Sequence, residues 1–326
     1  MRLRIERYAN RLWYQTRRPP WPWRLLAAVH AGLFQSRWQR PAAPPAVPVL
    51  VVGNLAVGGS GKTPVVIALA RYLADLGIQV GVISRGYGTR RRTVRRVEAD
   101  SDPYVHGDEP VLLAARTGRP VWVARDRRAA LDAALAAGVK VVIADDGLQH
   151  RRLPRSFEIV LIDGQRGFGN GWLLPAGPLR QPVSRLQSVD AILHRGRPGT
   201  PELPGRRFDL RPKGLVRLAD GARLDPLSLA NRPVSAVCGI ANPDQFVQML
   251  ESLAMKPVVH AFPDHHPFSP SELEGLARPI VTTAKDAVKL QRIAVAMDEI
   301  YVLEVSASLP VELLRTVAEH VQQFGR

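Results

Sequence analysis

The stretch Val49-Leu50-Val51-Val52-Gly53-Asn54-Leu55-Ala56-Val57-Gly58-Gly59-Ser60-Gly61-Lys62-Thr63-Pro64 decides how the rest of the chain is read. It opens with a short, apolar, Val-rich run, as a strand buried in a parallel sheet does. Glycines come next, then Lys62-Thr63, then an apolar-periodic run over 65–73 that predicts a helix. Strand, glycine-rich turn, Lys-Thr and helix, in that order, make a phosphate-binding loop. Glycines let backbone N–H groups turn toward phosphate oxygens, and a helix N-terminus adds partial positive charge. The expected cradle is Ala56, Val57, Gly58, Gly59, Ser60, Gly61, Lys62 and Thr63. In such a loop the Lys reaches the outer phosphates and the Thr hydroxyl holds Mg2+. Ala56 stands where the general pattern has glycine, so the backbone there must keep a negative φ.

Downstream, 80–84, 121–124, 139–144 and 159–163 read as further strands alternating with helical runs. That alternation predicts an α/β fold with a mostly parallel sheet and helices on both faces. Functional residues then belong at the carboxyl ends of the strands. Asp145 and Asp146 stand there, where P-loop enzymes place a Mg2+-associated carboxylate, and the sequence leaves both open for that role. Asp108-Glu109 precedes another helix and reads either as a cap or as a general base. Asp264-His265-His266 reads as a surface histidine pair or as a histidine oriented by a carboxylate. Thr283-Ala284-Lys285-Asp286 is similar to the base-reading loop of some nucleotide-binding proteins.

The chain divides into four parts. Residues 1–40 are a basic, tryptophan-bearing segment, 47–205 the P-loop unit, 206–230 a hairpin linker and 231–326 a second α/β unit that a helix over 310–323 completes. Residues 89–100 read as an exposed loop, and 41–48 as a Pro- and Ala-rich linker. In the first part, Ile5, Tyr8, Ala9 and Leu12 share one helical stripe, and Arg4, Arg7, Arg11 and Arg18 another. The apolar run 25–34 is too short to span a bilayer and suits a helix lying in the membrane interface. The single cysteine, Cys238, excludes an internal disulfide framework. A net charge of +16 implies an anionic partner, and no nucleic-acid-binding signature accompanies it.

Taken jointly, the P-loop, Ser84-Arg85-Gly86-Tyr87-Gly88, Gly107-Asp108-Glu109-Pro110 and Asp145-Asp146-Gly147-Leu148-Gln149-His150 resemble the tetraacyldisaccharide 4'-kinase family. So do Arg166-Gly167-Phe168-Gly169-Asn170-Gly171, the segment 174–180, Asp264-His265-His266 and Lys285-Asp286-Ala287-Val288-Lys289, in the family's order. The resemblance implies ATP-dependent phosphorylation of the 4'-hydroxyl of an acylated glucosamine disaccharide 1-phosphate, with Mg2+ as cofactor. It implies two α/β/α sandwich domains joined by a two-stranded linker, and a peripheral protein, here expected as a monomer, on the cytoplasmic face of a bacterial inner membrane. By the same resemblance Asp108 is the catalytic base and His265 its partner, chosen over His266 because it directly follows Asp264. The competing reading is a membrane-associated P-loop NTPase switch with no phosphoryl acceptor but water.

Overall fold

The computed structural model describes residues 2–38, 44–86, 93–196, 203–293 and 297–325. Part of the expected linker (41–43), the Arg-rich residues 89–92 and the side chains of Arg4, Ile5 and Arg7 lie outside the described residues.

Two helices come first, α1 (Arg2–Tyr14) and α2 (Trp21–Trp38). The first sheet is then laid down by β1 (Val49–Gly53), β2 (Val80–Ser84), β3 (Arg95–Val97), β4 (Val121–Val123), β5 (Val141–Asp145), β6 (Phe157–Asp163), β7 (Ala191–Arg195) and β8 (Arg206–Arg207). Their spatial order is β3-β4-β2-β5-β1-β6-β7-β8, parallel throughout except for β3. The connecting helices are α3 (Lys62–Asp75), α4 (Pro103–His106), α5 (Asp108–Thr117) and α6 (Arg127–Ala136). Alternation in β1 sends Leu50 and Val52 into one core layer, with Val65, Leu69 and Leu73 of α3. Val49 and Val51 enter the opposite layer, with Ala130, Leu131 and Ala134 of α6. With both faces covered, a strand has no use for polar residues, which is why β1 reads as an unbroken apolar run.

A second sheet follows, built from β9 (Asp209–Arg217), β10 (Arg223–Leu224), β11 (Pro233–Cys238), β12 (Lys256–Ala261), β13 (Ile280–Thr283) and β14 (Ile300–Ser308), in the order β10-β9-β14-β13-β11-β12. Its helices are α7 (Pro243–Ser252), α8 (Ser271–Glu274) and α9 (Ala284–Leu290). A terminal helix, α10 (Val311–Gln323), comes after β14. The architecture is α/β with two sheets.

Four expectations change. The hairpin over 206–230 is present, but β9 pairs along β14 from Asp209 to Arg217, so it is an integral edge of the second sheet rather than a free linker. Residues 207–210 and 214–218 read as two short strands of that hairpin, but Asp209–Arg217 is one strand, whose register against β14 shifts between Glu304 and Val305. Helix α10 does not complete the second core: Leu313 and Val317 join the core of the first sheet with Leu50 and Val65. His320 meets Ser156 Oγ at 2.9 Å and packs its ring on Phe157. Within the expected loop 89–100, residues 95–97 form β3 and pair antiparallel with β4.

Candidate active site

The phosphate loop closes between β1 and α3. Gly61 is the residue before α3 and has φ +83°, a conformation that a side chain at this position would oppose. Asn54 Nδ2 donates to Gly58 O at 3.1 Å and ties the loop across its own base. The start of the loop is anchored to a neighbouring segment. The Val57 N–H donates to Pro178 O at 2.8 Å, and Ala56 bridges to Leu179, so these two residues fasten the loop to the 173–180 segment. The Val57 amide is therefore spent within the chain. Residues 57–63 line one large cleft of about 1740 Å3, together with Asp145, Asp146, His265 and Lys285.

At the end of β5 the two aspartates diverge. Asp146 sits at φ +51° and accepts from Arg180 at 3.0 Å, with Lys62 Nζ 3.7 Å away. Burial resists ionisation of Asp146, but the charges of Lys62 and Arg180 prevail and hold its pKa at about 2. Asp145 is buried, and Ser84 Oγ donates to its Oδ2 at 3.4 Å. Its Oδ1 has no hydrogen-bond partner among the described residues. Burial, followed by the anions of Glu109 and Asp146, pushes the Asp145 carboxyl up to about 7. A buried carboxylate oxygen without a donor, in a field that disfavours its charge, fits a bound cation. Among the described residues there is no cluster of three His, Cys, Asp or Glu that could hold a metal alone. Mg2+ on a P-loop draws most of its oxygens from phosphate, water and one hydroxyl, so no such cluster is required.

Opposite the loop stands a second constellation. Gly107, at φ +95°, turns the chain into α5, and Asp108 is the first residue of that helix. His265 Nδ1 lies 2.9 Å from Asp108 Oδ1 and 3.0 Å from Oδ2. Asp108 lies on α5, packed against the first sheet, and His265 in the loop after β12 of the second, so the two meet between the two sheet units. Burial would push the Asp108 carboxyl up, yet the hydrogen bond from His265 and the charges of Lys285, His265 and Lys289 bring it down to about 2. Burial likewise opposes the charged form of His265, but the bond to Asp108, aided by the charges of Asp108 and Asp264, raises its pKa against the opposing charge of Lys285. Asp108 is only 5% exposed, and the imidazole is the member of the pair that lines the cleft. His266 points elsewhere: its Nε2 meets Glu272 at 2.9 Å and its ring stacks on Phe262.

The segment 283–286 is not an open base-reading loop. Thr283 caps α9, and Asp286 is fully buried, accepting from Gly239 N and Thr283 Oγ1. Lys285 Nζ donates instead to Glu109 and Asp264. Arg180 and Arg127 were not singled out from the sequence. Arg180 closes the 174–180 motif, which was its one signal. Arg127 is 2% exposed, donates to Ala124 O and Asp145 O, and nothing in its neighbourhood in sequence marks it as buried.

At the cleft's rim, the end of α1 is packed on the body. Trp13 Nε1 donates to Pro175 O, Tyr14 OH to Val57 O, and Asn170 Nδ2 to Leu12 O. The expected apolar stripe of α1 is thus used internally at Leu12, whereas α2 leaves Trp21, Leu25, Leu26, Val29 and Leu33 more than half exposed. No described helix is long and apolar enough to cross a membrane.

The tetraacyldisaccharide 4'-kinase of Alkalilimnicola ehrlichii is 49% identical over 294 residues, covering 86% of this chain and 88% of its own length. That of Chromobacterium violaceum is 45% identical over 315 residues, covering 93% and 92%. A crystal structure of the apo form of LpxK from Aquifex aeolicus in complex with ATP superposes with a TM-score of 0.74 at 29% identity, covering 91% of this chain and 97% of that one. The sequence model described as tetraacyldisaccharide-1-P 4'-kinase matches residues 20–322, and with it the chain is a member of the tetraacyldisaccharide-1-P 4'-kinase family.

Proposed function

We propose that this kinase transfers the γ-phosphoryl group of ATP to the 4'-hydroxyl of a tetraacyl glucosamine disaccharide 1-phosphate, a step of lipid A biosynthesis. One observation carries the reading: the phosphate loop and His265, which is paired with Asp108, line the same cleft. Family membership supplies the acceptor. The cleft volume, about 1740 Å3, exceeds that of an ordinary single-ligand pocket and suits two substrates.

Phosphoryl transfer asks a protein mainly for positioning and charge stabilisation. The backbone of 58–61 and the N-terminus of α3 cradle the phosphates, and Lys62 meets the charge that develops on the transferring group. Thr63 and Asp145 are the residues that would hold Mg2+, whose bound charge neutralises phosphate oxygens; Asp146 is instead committed to Lys62 and Arg180. The acceptor hydroxyl is a poor nucleophile and gives its proton to the Asp108–His265 pair acting as a unit. Because Asp108 is buried behind the imidazole, a hydroxyl in the cleft reaches His265 first.

The exposed apolar residues of α2, flanked by exposed Arg17, Arg18 and Arg24, suit a helix seated in an anionic membrane interface, and the acylated acceptor is delivered there. On this reading the enzyme works as a peripheral monomer at the cytoplasmic face of the inner membrane. The test is 32P transfer from labelled ATP to the tetraacyl disaccharide 1-phosphate in mixed micelles. A labelled lipid whose formation needs the free 4'-hydroxyl is the expected product. ATP consumption indifferent to the acceptor would instead mark a nucleotide switch.

A further inference from the structure

The seam between α5 and α9 is an alternating row of charges. Lys285 Nζ donates to Glu109 Oε1 and to Asp264 Oδ1, each at 2.9 Å. Glu109 directly follows Asp108, and Asp264 directly precedes His265. A single ammonium therefore grips the neighbour of each member of the pair, one from each side of the cleft. One turn further along α9, Lys289 Nζ lies 3.4 Å from Asp108 Oδ2 and donates to His266 O. The grip is needed because His265 sits at φ +63°, a left-handed conformation that costs a non-glycine residue free energy and persists only when its surroundings impose it. The Lys285 side chain is 15% exposed and its partners Glu109 and Asp264 are 34% and 32% exposed, so the two bonds are partly shielded from water.

We propose that Lys285 is the positioning residue of the reaction: it bridges the two domains and holds His265 against Asp108. The proposal rests on reading that pair as the proton acceptor. Lys285 touches neither reacting group. It fixes the backbone on either side of them, and it also offsets the carboxylates around the imidazole. Among the described residues, the charged groups facing His265 are Asp108 from α5, Lys285 from α9 and Asp264 from its own loop, with Glu109 and Lys289 one contact further out.

Three variants of the full-length enzyme in mixed micelles test this: K285M, K285R and D264N. Their kcat/KM is followed against pH, and the His265 imidazole is titrated by NMR in the resting protein. K285M removes a cation from a ring flanked by carboxylates, so the imidazolium is favoured and the acid limb moves to higher pH, while kcat falls about 10- to 100-fold as the pair loosens. D264N removes a carboxylate 3.7 Å from Nε2, so the limb moves to lower pH, and kcat falls too because one arm of the grip is gone. K285R restores most of the rate. Opposite movements of the limb and of the NMR titration are beyond a merely structural lysine. A wild-type rate in K285M, or a lost rate with both titrations unmoved, overturns the proposal. If K285M does not fold, D264N decides alone, and an unmoved limb there overturns it. D108N separates this from the underlying reading: an undiminished D108N rate removes the pair itself, whereas an inactive D108N beside an unaffected K285M removes only the role of Lys285.

Discussion

The two walls of the cleft are built by opposite means. The phosphate wall is one continuous segment, 53–63, whose shape comes from local backbone preference: glycines at positive φ and a helix that starts at Lys62. The facing wall has no segment of its own. Asp108-Glu109, Asp264-His265 and Lys285 through Lys289 come from three separate places and are held by charge pairs across a domain boundary. A site of the first kind is carried within one folded domain, which anchors the loop through Val57 and Ala56. A site of the second kind exists only when two folded units dock correctly, so docking and proton transfer become one event.

The contrast is open to measurement, beginning with the largest effect. Lys62→Ala should lower kcat by about 10³-fold with the fold intact, since the ammonium acts where charge develops and nothing on the facing wall replaces it. A near-normal rate in the purified variant would break the assignment of the phosphate wall. Asp108→Ala should cost on the order of 10²-fold or more in kcat while leaving the KM for ATP nearly unchanged, because the nucleotide is held by the other wall. Adding His265→Ala should make matters little worse, as residues acting as a unit are non-additive. Fully additive losses in that double-mutant cycle would mean that the two side chains work independently.

Two smaller effects sharpen the picture away from the reacting atoms. Leu25→Glu or Val29→Glu on α2 should reduce partition onto anionic vesicles about tenfold each while leaving kcat in micelles unaltered, because each side chain is more than half exposed on the protein and free to be buried in lipid. Vesicle sedimentation reads this directly, and unchanged partition would take α2 out of the membrane contact. The last effect is the pH dependence of the docked state. Asp108 has a depressed pKa, so its contribution is present above the ordinary carboxyl pKa and lost as pH falls toward 2. His265 has a raised pKa, so its contribution is complete below the ordinary imidazole pKa and lost as pH rises through the folded value. Their pairing should stabilise the protein most between roughly pH 4 and 6.5, and D108N should flatten a Tm–pH curve in that window.

The same contrast explains what could be read from the residues alone. The P-loop, the parallel sheet and the Asp145-Asp146 corner were legible because each is a short pattern whose physics is local. The pairing of Asp108 with His265 came from resemblance; bare residue patterns left a cap and a surface histidine as the default readings. Lys285 lay within a quoted motif, yet its partners, 176 and 21 positions away, follow from tertiary docking alone. The hairpin at 206–230 read as a linker because β9 alternates poorly, with partly exposed residues on both faces, and its place in a sheet depends on β14 far downstream. Helix α10 carries an ordinary amphipathic pattern, and such a pattern states that a face is buried without stating against what.

That helix sets a constraint on how the protein comes into being. Leu313 and Val317 fill a side of the nucleotide-binding domain whose other walls, β1 and α3, are synthesised long before them. A ribosome therefore delivers the phosphate loop into a domain that is still open on one side, and the whole second sheet must be made before the gap is closed. Until then the core around Leu50 and Val65 lacks the side chains of Leu313 and Val317. A nascent or truncated chain that stops short of α10 would hold every residue of the P-loop and still lack a sealed domain to hold the loop in shape.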